Sequence, residues 1–457
     1  MSDTTEVTEP TTPPLEVPPQ LEMLRSAIKD SPVYYSGLLP VPDVGLPLFY
    51  KGNGTTDCFD VTKATEEDLD KLVSACQAAT FGVGQKDVLD ETYRKAGKLD
   101  TQNFAMNLDI SQLGLIDRIR TELLEGKNGR KGIKAELYKL NVYGKGSFFK
   151  SHKDTPRAQN MFGSLVLVFP TPHDGGSLVL RHGDKEWTFD SANLLGEEKR
   201  PSIAFASFFG DVDHEVSPVK SGHRVTLTYN LYFTEKESPV QRPSPSSVTN
   251  NATEFKKVLE LVLKDPSFLP EGGTLGFKLR HQYPTSVGAA SDSSDSDSSD
   301  TDATADIPIS YLKGTDAAIT RALRSFGIRP HVKLLYHFDY DAAGIPEYAM
   351  LDGVPKWFNG MHCESSWEAV TQYSRPKGQP AQTLNPQPPY YNIDEEEFRI
   401  KDAIGIWWVD EPAKPGRECH VATPFVALGN EPGMEYTYGD YVLLATVDKY
   451  EERVPAV

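Results

Sequence analysis

Alternating hydrophobic and polar positions are concentrated in the middle of the chain and predict strands there. Residues 136–143 and 222–232 alternate as half-buried strands do. Residues 203–209 form a short apolar run that is followed by a Gly-Asp turn, which is typical of a buried strand. The pattern therefore predicts strands over these three segments.

Helical periodicity appears on both sides of these strands. Before them, Thr65 is expected to cap a helix, because Asp68 stands three residues later and a stripe of apolar residues follows. After them, another helix is expected to end at Gly327. The further predicted elements are helices over residues 111–124 and 315–326 and strands over residues 332–336 and 404–409. Together with the strands, these helices predict an α+β protein.

Three His-x-Asp pairs occur in the chain, and each is a candidate start of a metal site. The pair at His337 is not followed by a histidine with a cation ten residues later, and His182 lies at the end of an apparent strand, so both pairs are interpreted as structural. The pair His152/Asp154 differs, because it is followed by His214 and, ten residues later, by an arginine. This pair is the better candidate.

His152, Asp154 and His214 form a two-histidine, one-carboxylate set, which is typical of Fe(II) sites that leave positions open for other ligands. His152 and Asp154 point the same way if the backbone is extended. Arg224 would share a strand face with Thr226, and an arginine inside a sheet is unfavourable unless an anion pairs with it. The guanidinium suits a carboxylate, to which the threonine hydroxyl adds a hydrogen bond. The alternative is that Arg224 faces solvent.

With Tyr143-Gly144-x-Gly146 ahead of the first histidine, these residues resemble the Fe(II)- and 2-oxoglutarate-dependent dioxygenases, most closely their prolyl-4-hydroxylase-like branch. The close similarity covers residues 131–233, and a wider run also resembles a group of fungal oxygenases. The resemblance implies a double-stranded β-helix (jelly-roll) core that is braced by helices. It further implies Fe(II) bound by His152, Asp154 and His214, and the cosubstrate 2-oxoglutarate anchored by Arg224 and Thr226.

Two residues bear on the cosubstrate and on the type of reaction. Phe149 stands where prolyl hydroxylases often carry a tyrosine, so a hydroxyl that helps to bind 2-oxoglutarate would come from Tyr143 or Tyr138, or be absent. Asp154 indicates hydroxylation, because halogenating relatives carry a small residue in place of this carboxylate. The resemblance adds ascorbate as a further candidate cofactor.

The substrate is not determined by these motifs. A protein prolyl residue is the leading prediction, because the closest resemblance lies with the prolyl hydroxylases, and a small-molecule metabolite is the alternative. A non-catalytic module that senses iron or 2-oxoglutarate is a further alternative, although the intact motif argues against it. A cupin-like jelly roll would leave the arginine without a role.

Composition shifts divide the chain, whose 457 residues suggest two or three domains. The predicted divisions are a disordered acidic and Pro-rich tail (1–30), an N-terminal helical support region (31–130), the oxygenase core (131–234), a linker (235–251) and a C-terminal α+β accessory domain (252–457) with a disordered Ser/Asp-rich loop (289–306). A degenerate second oxygenase barrel, suggested by His337-x-Asp339, is the alternative for the C-terminal part.

The acidic composition limits the expected partners. A net charge of -18 disfavours non-specific binding to nucleic acid, which depends on neutralising phosphates. No apolar run approaches the roughly 20 residues of a membrane span. Four scattered cysteines and an N-terminus without a secretory signal favour the cytoplasm or the nucleus. Protein partners are expected to bind through the C-terminal domain or the acidic loop.

Overall fold

The structure is a computed structural model that describes the chain with gaps. The described residues are 17–52, 54–83, 86–124, 131–237, 247–284, 309–337, 348–351, 362–363, 382–384, 391–394, 399–400, 406–410, 421–427 and 433–453. The predicted Ser/Asp-rich loop (289–306) and the first 16 residues of the predicted tail lie outside these ranges.

Antiparallel strands form most of the N-terminal half. In chain order they are β1 (Tyr34–Pro40), β2 (Pro47–Gly52), β3 (Thr55–Asp60), β4 (Gln77–Ala78), β5 (Phe81–Val83), β6 (Lys86–Val88), β7 (Arg94–Lys95), β8 (Gly97–Asp100), β9 (Phe104–Met106), β10 (Lys131–Tyr143), β11 (Phe148–His152), β12 (Met161–Val168), β13 (His173–Gly175), β14 (Leu178–His182), β15 (Lys185–Phe189), β16 (Ser202–Phe209), β17 (Asp213–Val216), β18 (Val219–Gly222) and β19 (Arg224–Glu237). One sheet has the order β1-β16-β12-β19-β10-β8-β4, and a second has the order β15-β14-β17-β11-β7. Side chains of both sheets share one hydrophobic core.

Helices cover the outside of this core and of a second one. They are α1 (Pro19–Ala27), α2 (Glu66–Ala75), α3 (Leu115–Leu123), α4 (Ser191–Glu197), α5 (Ser247–Leu263) and α6 (Gly314–Ser325), with short 3-10 turns at Thr101–Asn103, Ile309–Tyr311 and Tyr450–Glu452. Helix α2 begins at the predicted capping box, in which Thr65 and Asp68 each accept a hydrogen bond from the other's backbone N–H. Leu72 of α2 and Ile119 of α3 belong to the core of the two sheets, so both helices brace it as expected.

Strand β16 explains the apolar run at residues 203–209. It lies between β1 and β12, and all of its residues are buried. A strand that is covered on both faces has no polar side, so its sequence is continuously apolar instead of alternating. The strand thus carries the chain from the core to the turn that precedes His214.

Two features of the N-terminal region differ from the prediction. Residues 31–130 contain the two helices α2 and α3 among strands β1 to β9, so the region is not mainly helical. In the predicted tail, α1 begins at Pro19 and buries Leu21, Leu24 and Ala27. These residues recur on one side of the helix, and they pack into the second hydrophobic core rather than facing solvent.

The C-terminal half contains this second core. Its strands are β20 (Gly273–Lys278), β21 (His331–His337), β22 (Tyr348–Leu351), β23 (His362–Cys363), β24 (Gln382–Leu384), β25 (Tyr391–Asp394), β26 (Arg399–Ile400), β27 (Ile406–Asp410), β28 (Val421–Ala427) and β29 (Gly433–Val447). Strand β29 pairs with β20, β21 and β28, and β27 runs parallel to β20. Helices α1, α5 and α6 pack on these strands. The predicted helix over residues 315–326 and the strands over 332–336 and 404–409 correspond to α6, β21 and β27.

The connection between the two halves is shorter than predicted. Strand β19 pairs with β10 as far as Glu237, and α5 begins at Ser247, so only residues 238–246 of the predicted linker (235–251) remain, and these lie outside the described residues. Asp339 of the third His-x-Asp pair also lies outside them. Among the residues that the structure describes, no helix is both long and apolar enough to cross a membrane.

Candidate active site

The three side chains of the predicted metal site meet between β11 and β17. His152 is the last residue of β11 and pairs across the sheet with His214 of β17, so the centres of the two imidazole rings lie 4.2 Å apart. Asp154 brings Oδ1 of its carboxylate to 3.7 Å from Nε2 of His214. The ligand atoms of the three residues all lie within 4.8 Å of one another. One metal ion can bridge atoms at this spacing.

Backbone hydrogen bonds orient both imidazoles. Nδ1 of His152 lies 2.8 Å from the carbonyl oxygen of Lys150, and Nδ1 of His214 lies 3.0 Å from that of Val212. A carbonyl oxygen only accepts, so Nδ1 donates in each ring and Nε2 keeps the lone pair that a metal needs. Burial, together with the neighbouring His214, lowers the pKa of His152 to about 3, so this imidazole is neutral at pH 7, as metal binding requires.

A serine that the sequence analysis missed holds the carboxylate of this group. Ser164 of β12 is 2% exposed and donates a hydrogen bond to Oδ2 of Asp154 at 2.5 Å. The other oxygen, Oδ1, is the one that faces His214. The signal in the sequence is a hydroxyl in the otherwise apolar strand Met161–Val168, which sequence reasoning alone does not connect to Asp154.

We expect Ser164→Ala to weaken iron binding about tenfold without abolishing it, because loss of an outer hydrogen-bond partner typically costs about 10- to 100-fold in metal affinity. The check is an anaerobic Fe(II) titration against a competing chelator. Ser207→Ala, at a fully buried serine of the same sheet, is the matched control and should bind iron as the wild type does. Equal affinity in Ser164→Ala and the wild type would show that this hydrogen bond does not hold the carboxylate in place.

Arg224 lies inside the protein with part of its hydrogen-bonding capacity unused. It is 1% exposed, so the solvent-facing alternative is wrong, and its Nε and Nη2 have no hydrogen-bond partner among the described residues. Burial lowers the pKa of Arg224 to about 10, so the guanidinium remains a cation at pH 7. A buried cation with free N–H groups is unfavourable unless an anion binds to it. This place is therefore suited to a carboxylate.

Gly176 packs closely against the side chain of Arg224. Gly176 has a φ of 71°, and a Cβ atom there would lie 2.9 Å from Cδ of Arg224, so a larger residue would collide with it. Thr226 is buried on the same face of β19, and its hydroxyl lies at 3.5 Å from the carbonyl oxygen of Asn141, the long limit of a hydrogen bond. This long contact can be exchanged for a shorter hydrogen bond to an anion at Arg224.

The two tyrosines considered as cosubstrate ligands lie in different places. Tyr143 is buried directly across the strand pair from Arg224, with its ring centre 5.5 Å from the guanidinium carbon. The Tyr138 hydroxyl instead accepts a hydrogen bond from Arg157 at 2.5 Å, and its ring contacts the cations of Arg157 and Lys139, each at 4.5 Å. We therefore retain Tyr143 and omit Tyr138 from the proposed site.

Phe149, which stands where a tyrosine was expected, packs against a metal ligand. Its ring is stacked on the imidazole of His152, with the ring centres 3.6 Å apart, and the guanidinium of Arg94 lies 4.3 Å from its centre. Arg94 is buried and donates to the carbonyl oxygen of Thr80 at 2.6 Å and to Oδ1 of Asn141 at 2.9 Å. Sequence reasoning missed Arg94, because the two-residue strand β7 lies far from the motif in the chain.

A second His-Asp-His group differs from the first in its charge. His182, Asp211 and His281 also place ligand atoms within 4.8 Å of one another. The ammonium of Lys313, however, lies 2.6 Å from Oδ1 of Asp211, and both of these side chains are 4% exposed. Because this cation already neutralises the carboxylate, a metal ion at the same place would be repelled. This arrangement agrees with the interpretation of His182 as structural.

We expect one ferrous ion per chain. His182→Ala should leave both the stoichiometry and the affinity unchanged, whereas His152→Ala should remove the ion, because only the first group is free of a neutralising lysine among the described residues. Elemental analysis after anaerobic loading and desalting measures the stoichiometry, and an anaerobic titration against a competing chelator measures the affinity. Two ions in the wild type and one in His182→Ala would show that the second group is itself a metal site.

A family comparison covers this region. Residues 138–232 match the family described as the 2OG-Fe(II) oxygenase superfamily. The matched segment contains the first His-Asp-His group together with Arg224 and Thr226. No curated protein sequence matches the chain significantly.

Solved structures with partial similarity include three oxygenases. A prolyl-4-hydroxylase from Pseudomonas putida is 17% identical, with 47% of this chain and 100% of that chain covered and a TM-score of 0.27. A 2OG-Fe(II) oxygenase family oxidoreductase from Burkholderia pseudomallei is 14% identical, with 43% and 90% covered and a TM-score of 0.22. A prolyl hydroxylase from Trichoplax adhaerens, in complex with a hypoxia inducible factor oxygen degradation domain peptide fragment, is 17% identical, with 41% and 83% covered and a TM-score of 0.27.

Proposed function

We propose that this chain is a 2OG-Fe(II) oxygenase, an enzyme that uses Fe(II) and 2-oxoglutarate, and that it hydroxylates a C–H bond of its substrate; the match of residues 138–232 to the model of that family supports this proposal. His152, Asp154 and His214 are proposed as the iron ligands. Arg224 and Thr226 are proposed to bind the distal carboxylate of 2-oxoglutarate, with Tyr143 beside them.

The observation that carries this proposal is the unpaired, fully buried Arg224. Its Nε and Nη2 have no hydrogen-bond partner among the described residues, and its side chain is 1% exposed. The guanidinium fork matches a carboxylate, so binding of an anion would satisfy N–H groups that the folded protein leaves free. A dicarboxylate such as 2-oxoglutarate can reach from this anchor toward a metal with its other end.

The two sheets of the N-terminal half are proposed to be a double-stranded β-helix. Strands β10, β19, β12 and β16 are adjacent in one sheet, and β11, β17 and β14 are adjacent in the other. The metal group lies on the second sheet and Arg224 on the first, so a jelly-roll arrangement would place the cosubstrate between them. The C-terminal half, with its own hydrophobic core, is proposed to be an accessory unit.

When bound, Fe(II) and 2-oxoglutarate supply the activation of dioxygen: one oxygen atom enters succinate, carbon dioxide is released, and the other oxygen atom enters the substrate C–H bond. The residues of this chain position these groups and exclude water. Phe149 and Phe208 lie against the two histidine ligands, with Phe208 4.7 Å from the ring centre of His214. An apolar wall at this place limits unproductive reaction with water.

The difference in exposure between the two ends of the site bears on the substrate. Arg224 is fully buried, whereas the side chain of Asp154 is 27% exposed and Lys153 beside it is exposed. The cosubstrate would thus lie deep in the protein, and the metal would be reached from solvent. This openness supports a substrate residue that is still part of a polypeptide, and we propose a prolyl residue because the motif resembles that of the prolyl hydroxylases.

The experiment that tests this substrate assignment uses two defined substrate sets. The protein is incubated in air with Fe(II), 2-oxoglutarate and ascorbate, and with either synthetic proline-containing peptides or a mixture of free amino acids. We expect proline residues of a peptide to gain one oxygen atom in tandem mass spectra, with an equal amount of succinate, and Asp154→Ala to give neither product. Oxygenation confined to free amino acids would contradict the assignment to a protein residue.

A further inference from the structure

A buried ion pair joins the oxygenase core to the C-terminal half beside the proposed iron site. Asp211 lies in the turn between β16 and β17, three residues before His214. The ammonium of Lys313 lies 2.6 Å from Oδ1 of Asp211. Nδ1 of His281 lies 3.0 Å from Oδ2, and the backbone N–H of Gln282 donates to Oδ2 at 3.0 Å. Residues of the C-terminal half therefore hold both oxygens of this carboxylate.

The charges of Asp211 and its neighbours hold the two halves of the chain together at this contact. Burial by itself would raise the pKa of Asp211, but the positive charge of Lys313, helped by His281 and His182, holds this pKa well below its usual range. The carboxylate is therefore ionised at neutral pH. If the two halves separated here, a buried charge would lose its partner, which is strongly unfavourable.

The turn that contains Asp211 also orients a proposed iron ligand. The N–H of Val212 donates to the carbonyl oxygen of Phe209 at 3.1 Å, which closes the turn. The carbonyl oxygen of Val212 then accepts the hydrogen bond from Nδ1 of His214 at 3.0 Å. Because Val212 directly follows Asp211, a displacement of Asp211 would move the carbonyl group that sets the direction of the imidazole.

A second contact reaches the other ligand-bearing segment. Lys153, which lies between His152 and Asp154, donates from Nζ to the side-chain oxygen of Gln282 at 3.2 Å. Gln282 thus touches both segments, because its backbone N–H bonds to Asp211. One short stretch of the C-terminal half therefore contacts both segments of the chain that supply the three proposed ligands.

We infer that the C-terminal half positions the iron ligands of the oxygenase core, with Lys313, His281 and Gln282 acting as positioning residues through Asp211 and Lys153. This inference rests on the proposed iron site. It gives the second half of the chain a part in the reaction of the first half, instead of a separate activity.

A double variant tests this inference without leaving an unpaired buried charge. Asp211→Asn/Lys313→Met removes both members of the pair at once. The matched control is Lys185→Ala, which removes the exposed 2.7 Å contact between Asp30 and Lys185 and leaves the 3.3 Å contact of Asp30 with Arg280 in place. That contact also connects the strands of the core to the segment after α1, but it involves neither of the two segments that supply the proposed iron ligands. All variants are made in the full chain, and Fe(II) affinity and the visible band of the Fe(II)–2-oxoglutarate complex are measured without oxygen.

We expect the double variant to remain folded, to bind Fe(II) about tenfold more weakly or worse, and to show a shifted band, because the Val212 carbonyl that orients His214 would be displaced. Lys185→Ala should match the wild type in both signals. A folded double variant with the affinity and the band of the wild type would overturn the inference, because the junction would then be structural only.

A second variant covers the case in which the double variant does not fold. Gly314 has a φ of 52°, at which alanine is strained, and a methyl group there would lie 2.4 Å from Nε2 of His281, so Gly314→Ala displaces this imidazole and the backbone beside Lys313 with all charges retained. We expect the same weakening of iron binding. Unchanged iron binding in folded Gly314→Ala, or failure of both variants to fold, would overturn the positioning role. Wild-type protein that binds no Fe(II) would instead overturn the proposed function, and with it the premise of this inference.

Discussion

Replacement of Asp154 by alanine is expected to abolish iron binding and succinate formation while the protein stays folded. The carboxylate is the anionic member of the His-Asp-His group, with Oδ1 at 3.7 Å from Nε2 of His214. Two neutral imidazoles alone hold Fe(II) weakly, so the loss should exceed the roughly 100-fold that removal of an outer partner can cost. The fold should survive because the Asp154 side chain is 27% exposed and its removal leaves no large cavity.

The control for this variant is Asp184→Ala. Asp184 is the carboxylate of the second His-x-Asp pair, is exposed, and has no place in the proposed site. Iron binding is measured by anaerobic titration, and the fold by circular dichroism and the midpoint of thermal unfolding. If Asp154→Ala bound Fe(II) with the affinity of Asp184→Ala, the ligand assignment would have to be abandoned.

Arg224→Ala is expected to retain iron but to lose affinity for 2-oxoglutarate by about 3 kcal/mol or more, which is roughly 100-fold or more in Kd. The reason is that Arg224 is the buried cation with free N–H groups to which the distal carboxylate is proposed to bind. Titration of the Fe(II)-loaded protein with 2-oxoglutarate measures this change. Arg181→Ala, which removes a partly exposed arginine on β14, should leave the affinity unchanged.

A further prediction for Arg224 concerns the thermal stability of the protein when no cosubstrate is bound. A buried guanidinium without hydrogen-bond partners for Nε and Nη2 opposes folding, so Arg224→Met should unfold at the same temperature as the wild type or higher. Addition of 2-oxoglutarate should raise the unfolding temperature of the wild type and not that of the variant. A large loss of stability in Arg224→Met, with cosubstrate binding intact, would mean that Arg224 is a structural residue.

The placement of Arg224 shows what sequence reasoning can predict. Alternation along residues 222–232 put Arg224 and Thr226 on one face, and both residues are buried as that argument required. The opposite face is buried too, with Val225 at 0% exposed, because β19 is a central strand whose sheet is covered on both sides. The pattern also located the strand ends near His152 and His214, and these two residues pair across the sheet.

Other parts of the site could not be predicted, because they depend on contacts between distant segments. The hydrogen bond from Ser164 to Asp154 depends on how the strands are arranged in the fold, and no local sequence pattern indicates it. Lys313 pairs with Asp211, which lies about one hundred residues earlier in the chain. Neither hydrophobic periodicity nor the spacing of motifs indicates this contact. Helix α1 was missed for a related reason: its stripe of apolar residues is short, and the core that covers it is formed by the C-terminal half.

The central claim is tested most directly by an anaerobic titration of the purified protein with Fe(II) and then with 2-oxoglutarate, followed by admission of air and an assay for succinate. We predict a visible charge-transfer band that appears only when both are present, with one equivalent of each per chain, and succinate once dioxygen enters. Folded protein that gives neither the band nor succinate would contradict the assignment of the His152, Asp154 and His214 group as an iron site.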